Sequence, residues 1–253
     1  MKTNLSTALI IGLAVMLGPN TAANAAEIKV ISSVGVKTAI EVLVPQFERG
    51  SENKIKTSFG TANPLKRQID GGESFDVAIL TPALVEDLVK NGKVAAGSQS
   101  NVAKVGIGVA IRAGTPKPDI STVDAFKRAL INAKAIAYSK EGQSGAAMAN
   151  LIGRLGLTEQ LKDKTVLETR SGLTALNVVE GKAELAFVLI SEILPIAGAE
   201  LVGPLPAEIQ SYVVFTAGVS TSSKDAPAAR KFIDFLKTPA AIPVLKAKGM
   251  EPG

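Results

Sequence analysis

The chain has 253 residues, 46% of them hydrophobic and 20% charged, with 28 Lys and Arg against 23 Asp and Glu for a net charge of +5. That mix is globular, not disordered, and the length allows a substantial core. Histidine, cysteine and tryptophan are absent, which removes the usual general base, thiolate chemistry and disulfides, and the flat ring on which sugars stack.

The amino terminus carries Lys2, an apolar run over residues 9–17 and Ala23-Asn24-Ala25, a small-x-small cleavage pattern. Residues 1–25 therefore read as a secretory signal, since the apolar run is far short of the ~20 residues that span a bilayer. The expected address is the periplasm, with no cysteine behind the cleavage site to take a lipid anchor.

Residues 28–31, 55–59 and 76–80 are short β-branched apolar runs with helical periodicity between them, so the segment reads strand, helix, strand, helix, strand. Ser32, Ser33 and Gly35 stand at the first strand-to-helix turn. Thr61, Ala62 and Asn63 stand at the second, with Asn63 as the expected N-cap and Pro64 as the first helical residue. Parallel strands put both turns at the carboxyl end of a sheet, where open α/β sheets bind ligands. A helix over 82–91, a strand over 102–111 and a helix over 121–133 capped by Ser121 follow.

The middle of the chain repeats this logic without repeating the sequence. A strand over 135–138 leads through Gly142-Gln143-Ser144-Gly145 into a helix over 146–155, with a short helix at 159–162. A strand over 165–168 is followed by Arg170, then Ser171-Gly172 opening a helix over 173–180, then a strand over 184–190. A second β-rich crossing spans 210–220, and amphipathic helices over 225–236 and 239–248 are expected to pack back onto the first part. The predicted fold is α/β with two lobes, each a mostly parallel sheet flanked by helices. Residues 26–105 with 216–253 form the first lobe, 106–215 the second, and the ligand cleft lies between them.

VISSVG (30–35), SFGTANPLKRQIDGG (58–72), FDVAIL (75–80) and VVEGKAELAFV (178–188), in that order and spacing, resemble the molybdate-binding-protein-like substrate-binding proteins of ABC transporters. The resemblance covers nearly all of the chain beyond the signal and implies the type II periplasmic binding fold, an ABC permease as partner and a monomer. By position it carries ligand contacts onto Ser32, Ser33, Gly35, Thr61, Ala62, Asn63, Ser144, Gly145, Ala146, Ser171, Gly172 and Leu189. The family's first-turn serine falls on Gly35 and its late tyrosine on Leu189, and the loss of two hydroxyls argues against molybdate or tungstate.

The residues point the same way on physical grounds. Helix N-termini around a cleft offer free N–H groups and the positive end of a dipole to an anion. Arg170, beside the Ser171-Gly172 turn, is a candidate guanidinium fork for a carboxylate, or else an ion-pair partner for Glu168; Lys37, Lys66, Arg67 and Lys140 are weaker candidates. The function read from the sequence is an extracytoplasmic receptor for a small anion, an organic carboxylate first and an inorganic oxyanion second. A periplasmic sensor could use the same cleft. An enzyme is not expected, because histidine is missing and no G-x-S-x-G elbow exists. Nor is any metal or cofactor. Basic residues are scattered without interleaved aromatics, so no nucleic-acid partner is expected either.

Overall fold

The computed structural model describes residues 27–253; the expected secretory signal lies outside them. Its elements run β1 (Glu27–Ser33), α1 (Lys37–Arg49), β2 (Lys54–Gly60), α2 (Ala62–Asp70), β3 (Val77–Leu80), α3 (Pro82–Lys90) and β4 (Ser100–Arg112). Then come α4 (Val123–Asn132), β5 (Ile136–Ser139), α5 (Gln143–Arg154), α6 (Thr158–Leu161), β6 (Thr165–Glu168), α7 (Leu176–Val179), β7 (Leu185–Leu189), α8 (Ile190–Ile193) and β8 (Ala199–Pro204). The chain closes with β9 (Tyr212–Val219), α9 (Ala226–Phe235), α10 (Ala241–Ala247) and β10 (Glu251–Pro252).

The strands form one mixed sheet in the order β2-β1-β3-β9-β4-β7-β5-β6, with β8 and β10 also on β4. β1 lies parallel between β2 and β3, and β5 lies parallel between β6 and β7, so each half has its own parallel core. β4 joins them. Its first part, from Ser100 to Gly106, runs antiparallel to β9, and Ile107–Ala110 runs antiparallel to β7. Every residue of β3 (VAIL) and of β7 (LAFVL) is buried, as continuous apolar runs must be when helices cover both faces.

Aromatic packing holds α9 against α1. The Phe47 ring on α1 meets Phe232 edge-on at 5.2 Å and Phe235 at 5.6 Å, which ties α9 to the first half. In the second half Phe126 of α4 meets Phe187 of β7 at 5.7 Å.

Three local expectations are corrected. α2 starts at Ala62 behind Thr61, not behind an Asn63 cap; Pro64 is tolerated at the third helical position because that N–H has no intrahelical partner in any case. α4 is capped by Thr122, whose hydroxyl accepts the Ala125 N–H at 3.1 Å, because Ser121 is already engaged by Asp119 through both its N–H and its hydroxyl. The helix expected over 173–180 shrinks to Leu176–Val179, since Gly172 takes φ +73 and the chain turns back with Leu173 N–H on the Arg170 carbonyl.

Candidate anion cleft between the two halves

Ser33 ends β1 and is buried where the chain turns through a short 3-10 turn into α1. Thr61 follows β2, and its hydroxyl does not cap α2 but reaches across to donate to Ser171 Oγ at 3.0 Å. Ser139 ends β5 and accepts the Gly142 N–H on its Oγ at 2.9 Å, which bends the chain into α5. No side chain caps α5, whose first turn contains Gln143, Ser144 and Gly145. Gly145 is required there: a Cβ would collide with the Ser139 carbonyl oxygen, so only glycine lets the helix N-terminus lie this close to β5.

These turns surround a cavity of about 30 Å³, roughly one water's share of liquid volume. Ser33, Thr61, Ser139, Gln143, Ser144 and Glu192 contribute polar groups to its lining, and Val34, Ala62, Leu189, Val213 and Phe215 apolar ones. The halves are drawn together over it. Beside the Thr61–Ser171 bond, Asn63 Nδ2 donates to the Glu141 carbonyl at 3.4 Å, Arg67 meets the Glu141 carboxylate at 3.3 Å, and Ser191 Oγ donates to the Gly35 carbonyl at 2.7 Å. Gly172 lies against Val34 so closely that a Cβ would come within 2.8 Å of its methyl.

Of the residues singled out from sequence, Ser33, Thr61, Ala62, Ser144, Gly172 and Leu189 line this cavity. Ser32, Gly35, Asn63, Gly145, Arg170 and Ser171 do not. Ser32 is fully buried with its hydroxyl on the Ser33 carbonyl, Gly35 is packed under Phe215 and Leu189, and Asn63 and Ser171 hold the rim. A Cβ on Gly35 would lie 2.5 Å from Phe215 Cζ and 2.7 Å from Leu189 Cδ1. The two positions where the resemblance leads one to expect hydroxyls are thus a matched apolar contact.

Arg170 takes the ion-pair alternative. Its guanidinium grips Glu168 through Nε at 3.0 Å and Nη2 at 2.7 Å, and meets Glu180 at 3.3 Å. Glu168 is buried and also accepts from Asn177 at 2.9 Å; the Arg170 bonds hold its carboxyl at about 2, well below the usual range. Lys37, Lys66 and Arg67 are likewise taken up by carboxylates.

Sequence reasoning missed Ser139, Gln143, Phe215 and, above all, Glu192. Glu192 stands in the first turn of α8, directly past the carboxyl end of β7, and lines the cavity. Among the described residues it has no hydrogen bond or ion pair, and burial pushes its carboxyl up to about 7. The signal was its place just beyond a predicted strand end. A roomier depression of about 730 Å³ lies elsewhere, beside α4, and is lined by Arg112, Asp119, Arg128 and Glu184. The turns after β1, β2 and β5 do not reach it, and Arg112 is already bonded to the Val178 and Val179 carbonyls at 3.1 and 2.6 Å. Chemistry therefore favours the small cleft over the large one.

Comparison with known proteins decides the class: a family model described as bacterial extracellular solute-binding protein matches residues 28–251. The chain belongs to that family. Its relatives include the molybdate-binding protein ModA of Azotobacter vinelandii, 30% identical over 234 residues with 90% of this chain and 91% of that protein covered. Another is named aconitate isomerase, from Pseudomonas sp, 28% identical over 229 residues, covering 88% of this chain and 87% of that one. The solved Azotobacter vinelandii periplasmic molybdate-binding protein superposes with a TM-score of 0.76 over 89% of this chain and 99% of its own, at 24% identity. The fold is therefore that of type II periplasmic binding proteins, and the family membership makes the chain an extracellular solute-binding protein. Among the described residues no helix is long and apolar enough to cross a membrane.

Proposed function

We propose that the protein is a monomeric periplasmic receptor that closes on a small organic anion and presents it to an ABC permease. One observation carries the reading. Hydroxyls from both halves (Ser33 and Thr61 from one, Ser139 and Ser144 from the other) converge with the uncapped N-termini of α2 and α5 on one cavity that also has an apolar wall. Helix N-termini favour negative charge by roughly 0.3–1 kcal/mol each, up to ~2 when partly buried. The apolar wall of Leu189, Val213 and Phe215 favours a carbon skeleton over a bare tetrahedral oxyanion. The halves act as lobes, 26–105 with 216–253 and 106–215, that part about the β4 and β9 crossings to admit a ligand larger than the closed cavity. Arg170 supports the rim by holding Glu168 and does not touch the ligand.

Isothermal titration of the protein lacking residues 1–25 with citrate, succinate, trans-aconitate and molybdate tests this. At least one carboxylate should bind, and Ser33→Ala and Ser144→Ala should each weaken it by about tenfold or more, the cost of a hydrogen bond to a charged group. Molybdate binding tighter than every carboxylate would overturn the organic-anion reading.

Glu192 favours a second reading, turnover of an unsaturated tricarboxylate like the one named for the Pseudomonas relative. A carboxyl poised near neutral pH suits proton transfer at a carbon next to a carboxylate. Incubation with trans-aconitate in deuterated water, followed by NMR, checks it: conversion to the cis isomer would establish turnover, and unchanged trans-aconitate would leave a receptor alone.

A further inference from the structure

An acidic residue lines the cavity that the proposed function gives to an anion. Glu192 shares the cavity with Ser33, Thr61, Ser139 and Ser144 and is its one ionisable lining residue. No described residue offers it a hydrogen bond or an opposite charge. We propose that Glu192 couples binding to a proton: it shares a single proton with one oxygen of the bound anion, so the cleft takes the anion up together with that proton. The inference deepens the organic-anion reading and rests on it.

The physical basis is like-charge repulsion where water is scarce. Two carboxylates in contact within a closed cavity cannot both be ionised, and one of them keeps a proton. Glu192 is half-buried, and the desolvation it does feel raises its carboxyl above the usual range, so an arriving anion shifts it further in the same direction. Charged groups on the surrounding elements do not interfere. α8 packs against β4, β7, β8 and the 3-10 turn before α1. On those elements Lys104 pairs with Glu251, Glu200 pairs with Lys117, Arg112 is held by the Val178 and Val179 carbonyls, and Lys37, just past the turn, pairs with Glu41. The residues of β7 carry no charge, and Glu141 at the rim is matched by Arg67. Lys248 flanks Gly249, which packs against Ile190 and Leu194, but among the described residues it forms no ion pair with Glu192, so the proton is what neutralises Glu192.

The test is isothermal titration of wild type and Glu192→Gln with citrate, succinate, trans-aconitate and molybdate between pH 7.5 and 8.5, each in two buffers of different ionisation enthalpy. Wild type should lose about tenfold in carboxylate affinity over that unit and take up close to one proton per ligand at its upper end. Glu192→Gln should show a flat profile and no proton uptake. If the variant fails to fold, proton uptake by wild type still decides, because uptake near zero overturns the proposal. Equal pH dependence in both proteins also overturns it while leaving the receptor reading intact. Absence of binding by every carboxylate to wild type would instead overturn the organic-anion reading, and this inference with it.

Discussion

Replacing Glu168 with Gln probes the support of the second-half rim without touching the cavity. Glu168 is only 7% exposed, accepts two bonds from the Arg170 guanidinium at 3.0 and 2.7 Å and one from Asn177 at 2.9 Å, and its carboxyl sits at about 2 instead of 4.5. Each unit of lowering is worth about 1.4 kcal/mol, so the ionised form contributes on the order of 3 kcal/mol to folding. The sign follows from the direction of the shift. A carboxyl lowered in the folded state stabilises fully above its unfolded value near 4.5, and that contribution is lost as pH falls through about 2. Wild type at pH 7 should therefore melt about 6–12 °C above Glu168→Gln. The gap should shrink between pH 4.5 and 2. Calorimetric or circular-dichroism melts over pH 2–7 measure it. A gap that is negligible at pH 7, or that does not narrow in acid, would refute the assignment of Glu168 and Arg170 as a structural pair. Arg170→Ala should lower the melting point in the same pH window and leave intrinsic ligand affinity unchanged, the opposite of what a ligand-binding guanidinium would do.

Other expectations follow from close contacts. Gly145→Ala places a Cβ inside the Ser139 carbonyl and should cost about 3 kcal/mol or more, with loss of ligand binding, as read by denaturant titration and calorimetry. Gly35→Ser alone should lose roughly 1–3 kcal/mol through its clash with Phe215 and Leu189, and Leu189→Ala in the same chain should recover part of that loss. Phe232→Ala removes an edge-on partner of Phe47 from a fully buried site and should cost about 3–5 kcal/mol in urea unfolding while leaving any measurable affinity intact.

The strands were legible because their signals are local. VAIL at 77–80 and LAFVL at 185–189 are apolar without interruption, and each ends in a polar turn. Turn positions followed from strand order alone, which is why Ser33, Thr61 and Ser144 fall on the cavity. Side-chain direction did not follow. Arg170 looked available because nothing local shows that Glu168, two residues away, and Glu180 both face it. Asn63 and Ser171 looked like caps, yet they bridge the two halves, a contact set by closure and not by the segment itself. Glu192 was passed over because nothing in LISEI itself shows what the glutamate packs against. Only the packing of α8 beneath the 3-10 turn before α1 brings it into the cleft. Local propensity fixes elements; the cavity's charge is a property of the assembled halves.

Hydrogen–deuterium exchange with and without a bound carboxylate tests most directly whether the small cleft is the binding site. Protection should rise together in the backbone N–H groups of residues 33–36, 61–63 and 143–145, which lie far apart in sequence and meet only at this cavity. Protection confined to the segments around Arg128 and Glu184 would place the ligand in the larger depression and contradict the account.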